Sequence, residues 1–306
     1  MKRAVLCCIA AVIAACAPST PVVDPDYRAD IEAWRAGRLE RLTSDSGWLT
    51  LIGLYWLEPG ISRFGSDPGN EIPVAVAGVP GLAGTIEIGD DGSVVARAVA
   101  DADVRINGEP LVESVITTDA QGPPDVVGVG RANFHIIERG GKLAARVKDP
   151  GARTRSRFPG IDHYPLDSAF RVTATLEPFD EPRRVEIPTV VGTPTTMITP
   201  GLLRFSLAGM DLALEPYVES PDDDSYFLIF RDRTSGDTTY GAGRFLSAEA
   251  AGPDGTTVLD FNLAYNPPCA FTPYATCPLP TPQNSLSVAV EAGERYEGDG
   301  HWTNDT

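Results

Sequence analysis

Basic residues are in short supply in this chain: 25 Lys and Arg stand against 42 Asp and Glu, a formal charge of −17 over 306 residues. A molecule of that sign repels phosphate backbones and anionic lipid surfaces at long range, which excludes nucleic-acid binding. Methionine and histidine are scarcer still, three of each, whereas glycine and proline reach 30 and 27. That balance disfavours a helical bundle and favours many short strands broken by turns. No Gly-x-Ser-x-Gly sequence occurs, which disfavours a serine hydrolase of the α/β type, and no glycine-rich phosphate loop opens a helix. Histidine and cysteine nowhere have the spacing of a metal motif, so no metal and no cofactor is expected. Asp222-Asp223-Asp224 lacks the alternating ligands and terminal Glu of a calcium loop and reads as a solvated turn. What remains, 42% hydrophobic and 22% charged, is a folded body with room for one large or two modest cores.

Met1-Lys2-Arg3 precedes a small, apolar run from Ala4 to Ala15 that is too short to cross a bilayer as a helix. Residues 1–15 therefore read as a secretory signal peptide. The run ends in Ile13-Ala14-Ala15-Cys16, which resembles the bacterial lipobox, and the resemblance implies cleavage before a lipidated Cys16. Several acyl chains on one residue suffice for stable anchoring. Ala17, where an Asp would imply retention at the inner membrane, implies the periplasmic face of the outer membrane. Residues 16–23 form a tether of about 25 Å at full extension. Loss of Lys2 and Arg3 leaves 23 basic against 42 acidic residues, a charge of −19, so the lipid rather than electrostatics holds the chain at a membrane.

Asp24-Pro25-Asp26 is a helix start, and Tyr27, Ile31 and Trp34 recur at helical spacing, which predicts one amphipathic helix to about Leu42. Beyond it the period shortens. Strand patterns punctuated by Gly and Pro run through 71–75, 85–88, 94–99 and 103–106, then through 133–138, 143–147, 170–176, 184–187, 202–207, 226–230, 238–246, 257–262 and 285–290. The fold class expected is mainly β: an N-terminal helix and small β-sandwich over 24–120, then a larger antiparallel β domain over 121–296, a sandwich or partly open barrel. The break is placed at the polar stretch 121–124, and the tail 297–306 reads as disordered. Gly60-Ile61-Ser62-Arg63-Phe64-Gly65, Gly69-Asn70-Glu71-Ile72 and Asn107-Gly108 resemble the strand and turn pattern of forkhead-associated sandwiches. The Ser and His that such domains use for phosphothreonine are missing, so the resemblance implies architecture alone.

The loop 265–284 is the sharpest local feature, with five prolines between residues 267 and 280. Its words Asp260-Phe261-Asn262 and Tyr265-Asn266-Pro267-Pro268-Cys269, together with Phe230-Arg231-Asp232 and Tyr240-Gly241-Ala242-Gly243-Arg244-Phe245, resemble the family called domain of unknown function 1684. Trp48-Leu49 to Trp56-Leu57 and Phe158-Pro159-Gly160 belong to the same resemblance. The family brings no established activity and no catalytic residues.

Cys269 and Cys277 are the only cysteines after Cys16. In an oxidising compartment a disulfide is the default, stabilising by roughly 2–3 kcal/mol in the chain-entropy model; a reactive thiol at Cys269 and a metal site are the alternatives. A hairpin turning at Thr234–Asp237 that sets Arg231 opposite Tyr240, with Arg244 beside Asp260 on the next strand, gathers Arg231, Tyr240, Arg244, Asp260 and Asn262 on one face. With Asn266 at the rim, guanidinium, phenol, carboxylate and amide then suit a carboxylate or phosphate ligand. The same residues read equally as a structural Arg-Asp lock. A second concentration lies at 131–157, where eight basic residues (131, 139, 142, 146, 148, 153, 155 and 157) face only Glu138 and Asp149. That segment is either an anion site or a salt-bridged face. His135, in a strand pattern, reads as a packing residue, and His163, in a turn beside Asp162, is the better base. The first functional reading is a cell-envelope lipoprotein that binds a small anionic ligand or an envelope protein. A hydrolase with Asp260 or His163 as general base and Arg244 on an oxyanion is the second, and a structural scaffold the third.

Overall fold

Asp24 starts a helix. Its carboxylate accepts the N–H groups of Asp26 and Tyr27 at 2.9 and 3.2 Å, and Pro25 takes the first helical position. In the computed structural model, which describes residues 23–220 and 223–296, this helix, α1, spans Pro25–Thr43 and buries Ile31, Arg38 and Leu42. The expected signal peptide, Cys16, the tether through residue 22, Asp222 and the tail 297–306 lie outside the described residues. No described helix is long and apolar enough to cross a membrane.

Eleven short strands follow: β1 (Leu51–Trp56), β2 (Gly60–Gly65), β3 (Ile72–Pro73), β4 (Gly84–Ile88), β5 (Val94–Ala98), β6 (Val104–Ile106), β7 (Glu109–Pro110), β8 (Glu113–Val115), β9 (Val127–Val129), β10 (Ala132–Arg139) and β11 (Lys142–Lys148). They form two sheets, one in the order β1-β11-β10-β9-β6-β7 and the other β3-β2-β4-β5-β8. Phe64 of one sheet meets Phe134 of the other edge-on at 5.2 Å in the shared core. This corrects the expected domain break. β1 pairs with β11 and β11 with β10, and Phe134, Ile136, Ala145 and Val147 are buried in the first core. The polar stretch at 121–124 is a loop inside the first unit, and the second unit starts after Lys148.

The second unit holds β12 (Arg171–Ile187), β13 (Thr195–Leu207), β14 (Met210–Leu214), β15 (Ser225–Phe230), β16 (Arg244–Glu249) and β17 (Thr256–Asp260). Four of them make a sheet in the order β14-β13-β12-β17, and β15 and β16 make a two-stranded ribbon packed against it around Phe205, Phe230 and Phe261. No closed barrel forms among the described residues. β12 fuses two expected strands, with the register shifting between Pro178 and Arg183. The expected strand over 238–246 begins only at Arg244, because Gly243 turns the chain with φ 94°. A Cβ there would lie 2.5 Å from the Phe230 carbonyl oxygen, so the close approach requires glycine. Residues 285–290, also expected as a strand, join no sheet; one bridge from Ser285 to Arg231 is their β contact.

Candidate functional site

Backbone polar groups buried outside a sheet need other partners, and this requirement accounts for most of the residues expected to bind a ligand. Arg244 is fully buried. Its Nη2 donates to Asp232 Oδ2 at 2.9 Å and to the Val290 carbonyl at 2.8 Å, and Nη1 donates to the carbonyls of Ala292 and Glu294. Asp232 in turn accepts from Thr234 and from the N–H of Val290. The pair thus holds a segment that has no strand of its own.

The expected register is wrong by this measure. Phe230, not Arg231, shares the ribbon with Arg244, and Asp260 pairs with Arg171 of β12 instead of with Arg244. Arg231 is exposed. Asp260 accepts from the Tyr27 hydroxyl at 2.7 Å, and Asn262 donates to Tyr27, to the Asp167 carbonyl and to Asp260, so these two side chains fasten α1 to the second unit. Asn266 gives its N–H to Glu294 at 2.7 Å and its side-chain amide to the Arg295 carbonyl. Tyr240 donates to the Cys269 carbonyl at 3.1 Å. One open face gathering Arg231, Tyr240, Arg244, Asp260, Asn262 and Asn266 does not form. The lock reading describes the arrangement.

The hydrolase candidates are likewise apart. Asp260 faces Tyr27 and Asn262, whereas His163 bridges to Glu294 and is pushed down to about 4 by burial and by Arg35. The expected disulfide is absent: Cys269 and Cys277 are free, buried thiols. A 3-10 turn over Pro268–Ala270 presents the Cys269 N–H to Cys277 Sγ at 3.2 Å. Hydrogen bonding to Cys269 and burial push the Cys277 thiol up. No cluster of three or more metal-ligating side chains occurs among the described residues.

A different set of side chains does converge. Gly140 and Gly141, both at positive φ, close the β10–β11 hairpin as a two-residue turn. That turn sets Arg139 opposite Lys142 and His135 opposite Arg146, so the period of two brings His135, Arg139, Lys142, Arg146 and Lys148 onto the sheet face turned away from the first core. Several of these charges are answered. Arg139 pairs with Asp119 at 2.9 Å, and outside the hairpin Arg131 pairs with Asp149 at 2.7 Å and Arg155 with Asp45.

Arg146 is not. It is only 6% exposed, no carboxylate of the described residues lies within ion-pair distance, and its Nε has no hydrogen-bond partner. Its guanidinium lies over the Trp48 ring at 5.1 Å. Burial and the neighbouring Arg139 push it down to about 10, and burial together with Arg146 lowers Lys148 as well. Arg146 and Arg139 both donate to Thr276 Oγ1, at 3.2 and 3.3 Å. With its lone pairs so engaged, the Thr276 hydroxyl proton is available to an acceptor.

These groups line a cavity of about 410 Å³ between the two β units, walled by Glu138, Thr189, Thr193, Met197, Phe245 and Cys277. A buried guanidinium with no ion pair of its own, beside a second guanidinium and a hydroxyl donor, is a preorganised seat for a carboxylate or phosphate. Sequence reasoning located the basic segment 131–157 but not this site. The signal that identifies it is Gly140-Gly141 between two strand patterns, which fixes the register and thereby the shared face.

Residues 156–295 match the family model described as "Protein of unknown function (DUF1684)". The match takes in Phe158-Pro159-Gly160 and all the words from Phe230 onward, and leaves Trp48–Leu57 and the β10–β11 hairpin outside. No curated protein matches the chain. Among solved structures, the solution NMR structure of an uncharacterized protein from Haloarcula marismortui is 35% identical over 46% of this chain and 78% of its own, with a TM-score of 0.40. The FHA domain of the CT664 protein from Chlamydia trachomatis is 20% identical over 32% of this chain and 95% of its own, with a TM-score of 0.22. The N-terminal FHA domain of S. cerevisiae Rad53, solved with a phosphothreonine peptide, is 15% identical over 29% and 67%, with a TM-score of 0.20. The family model spans nearly the whole second β unit, and the chain belongs to the DUF1684 family.

Proposed function

We propose that this protein is a lipid-anchored cell-envelope protein that binds a small anionic ligand in the cleft between its two β units. The envelope address rests on Met1-Lys2-Arg3, the apolar run and Cys16. The binding reading rests on one observation, the buried Arg146, which forms no ion pair of its own among the described residues and shares the electrostatic support of Asp119 with Arg139. An uncompensated buried cation costs several kcal/mol, roughly, and a fold retains that cost where a ligand supplies the missing charge. Arg139 and Thr276 add donors at the same point.

The test is a thermal-unfolding titration of the purified full chain with inorganic phosphate and with acetate, beside Arg146→Met and Thr276→Val. The wild type gains stability with anion concentration, as any ligand of the folded state requires. Arg146→Met melts above the wild type in anion-free buffer and does not respond to phosphate. Thr276→Val keeps a weakened response. The reading is overturned if Arg146→Met melts lower and phosphate still stabilises it, or if neither anion raises the wild-type midpoint.

A further inference from the structure

A second cavity, of about 880 Å³, adjoins the first, and Trp48, Phe245 and Pro268 line both. Its walls are aromatic. Trp34 of α1 lies 6.1 Å from Tyr265, Tyr265 lies 5.8 Å from Phe245, and Phe245 lies 4.9 Å from Phe227. These four rings form a continuous row whose third member, Phe245, also lines the anion cavity. The charges on this side are matched: Arg38 is bound to the buried Glu294 at 3.2 Å and covers the Tyr265 and Phe271 rings, while Glu40 and Arg41 offset each other at the exposed rim. One compartment therefore carries two guanidinium groups against Glu138, with Arg146 lacking an ion pair, and the next is largely aromatic with its charges matched.

We infer that the ligand is an anion carrying an aromatic body, its charged end at Arg146 and Thr276 and its ring along Trp48, Phe245 and Tyr265. This rests on the anion-binding reading and adds the substrate class. A free inorganic anion fills only the smaller cavity. A flat apolar body extends into the larger one, where ring-on-ring contact and loss of water from both partners favour it. An aryl phosphate and an aryl carboxylate present the same two features, and the experiment separates them.

Calorimetric titration of the full chain compares inorganic phosphate, 1-naphthyl phosphate, 2-naphthoate and the uncharged 2-naphthalenemethanol, with Trp34→Ala and Arg146→Met as variants. The wild type binds 1-naphthyl phosphate about 30- to 100-fold tighter than phosphate, the advantage expected for burying roughly one aromatic body. Trp34 does not touch the anion cavity, so Trp34→Ala cuts that advantage several-fold with phosphate affinity unchanged. Arg146→Met loses both anions. Naphthoate binding more tightly than naphthyl phosphate names the carboxylate, and weaker binding names the phosphate. If naphthyl phosphate binds no tighter than phosphate while Arg146→Met still abolishes phosphate binding, the aromatic body is refuted and the anion site stands. Should the uncharged alcohol bind as tightly as the anions, or nothing bind at all, both fall.

Discussion

Replacing Arg244 by alanine is expected to damage the fold. The guanidinium is fully buried, bonded to Asp232 and to three carbonyls of the segment 290–294. Removing one partner of such a pair leaves the other charge buried and costs about 3–5 kcal/mol. Each carbonyl stripped of its donor adds about 1 kcal/mol, less where water enters the space left behind. The sum, on the order of 5 kcal/mol, is a large part of the roughly 5–15 kcal/mol that holds a domain folded. At about 2–4 °C per kcal/mol for a chain of this size, the midpoint falls by about 10–20 °C. Circular dichroism melts of the full chain measure this, with Asp232→Leu and the double variant Arg244→Met/Asp232→Leu completing a cycle. The double variant recovers part of the loss, because no charge is stranded. A midpoint within about 2 °C of the wild type in Arg244→Ala, or full additivity in the cycle, refutes the account of Arg244 as a lock.

His135 and His163 are both held at about 4, by burial first and then by Lys148 and Arg146 for one and Arg35 for the other. Their folded values lie below the ordinary 6.5, so the unfolded chain binds more protons between these limits. Stability therefore falls as pH drops from about 6.5 towards 4, by up to about 1.4 kcal/mol per pH unit for each group. Histidine proton resonances that titrate near 6.5 in the folded protein would contradict this. Tyr27→Phe removes the hydroxyl that donates to Asp260 at 2.7 Å and accepts from Asn262; an equilibrium urea melt should show a loss of about 1.5–3 kcal/mol. Gly243→Ala forces a Cβ against the Phe230 carbonyl at positive φ, and a loss of more than about 1 kcal/mol is expected in the same melt.

The helix was legible because its signals are local: Asp24, Pro25 and the spacing of Tyr27, Ile31 and Trp34 all act within a few residues of where they stand. Mainly β architecture was legible for the same reason, since turns and alternation are written along each strand. The division between units was not. β1 finds its partner in β11, far along the chain, and nothing near Gln121 to Pro124 reports that pairing. The recognition face failed at a similar point: the ribbon's register lies three residues from the expected one, with Phe230 rather than Arg231 paired to the strand of Arg244, and any odd shift in a strand turns every side chain over. The word Gly243-Arg244 was correctly seen as important, but a motif marks a constraint without saying whether it serves packing or binding. Arg146 is not distinguishable from its basic neighbours in the sequence, because its burial without an ion pair is a property of the assembled fold.

The segment held by Arg244 has a bearing on the order in which the polypeptide matures. The carbonyls that Arg244 satisfies lie 46 to 50 residues further along the chain. During synthesis the β15–β16 ribbon therefore emerges with its guanidinium and Asp232 uncovered, and it cannot be sealed until residues 290–294 have left the ribosome. A nascent chain halted before that point carries a half-formed second unit with Phe230 and Leu246 accessible to chaperones or to other nascent chains. The second unit therefore completes its fold only when residues 290–294 are free to dock, and their docking is the closing step.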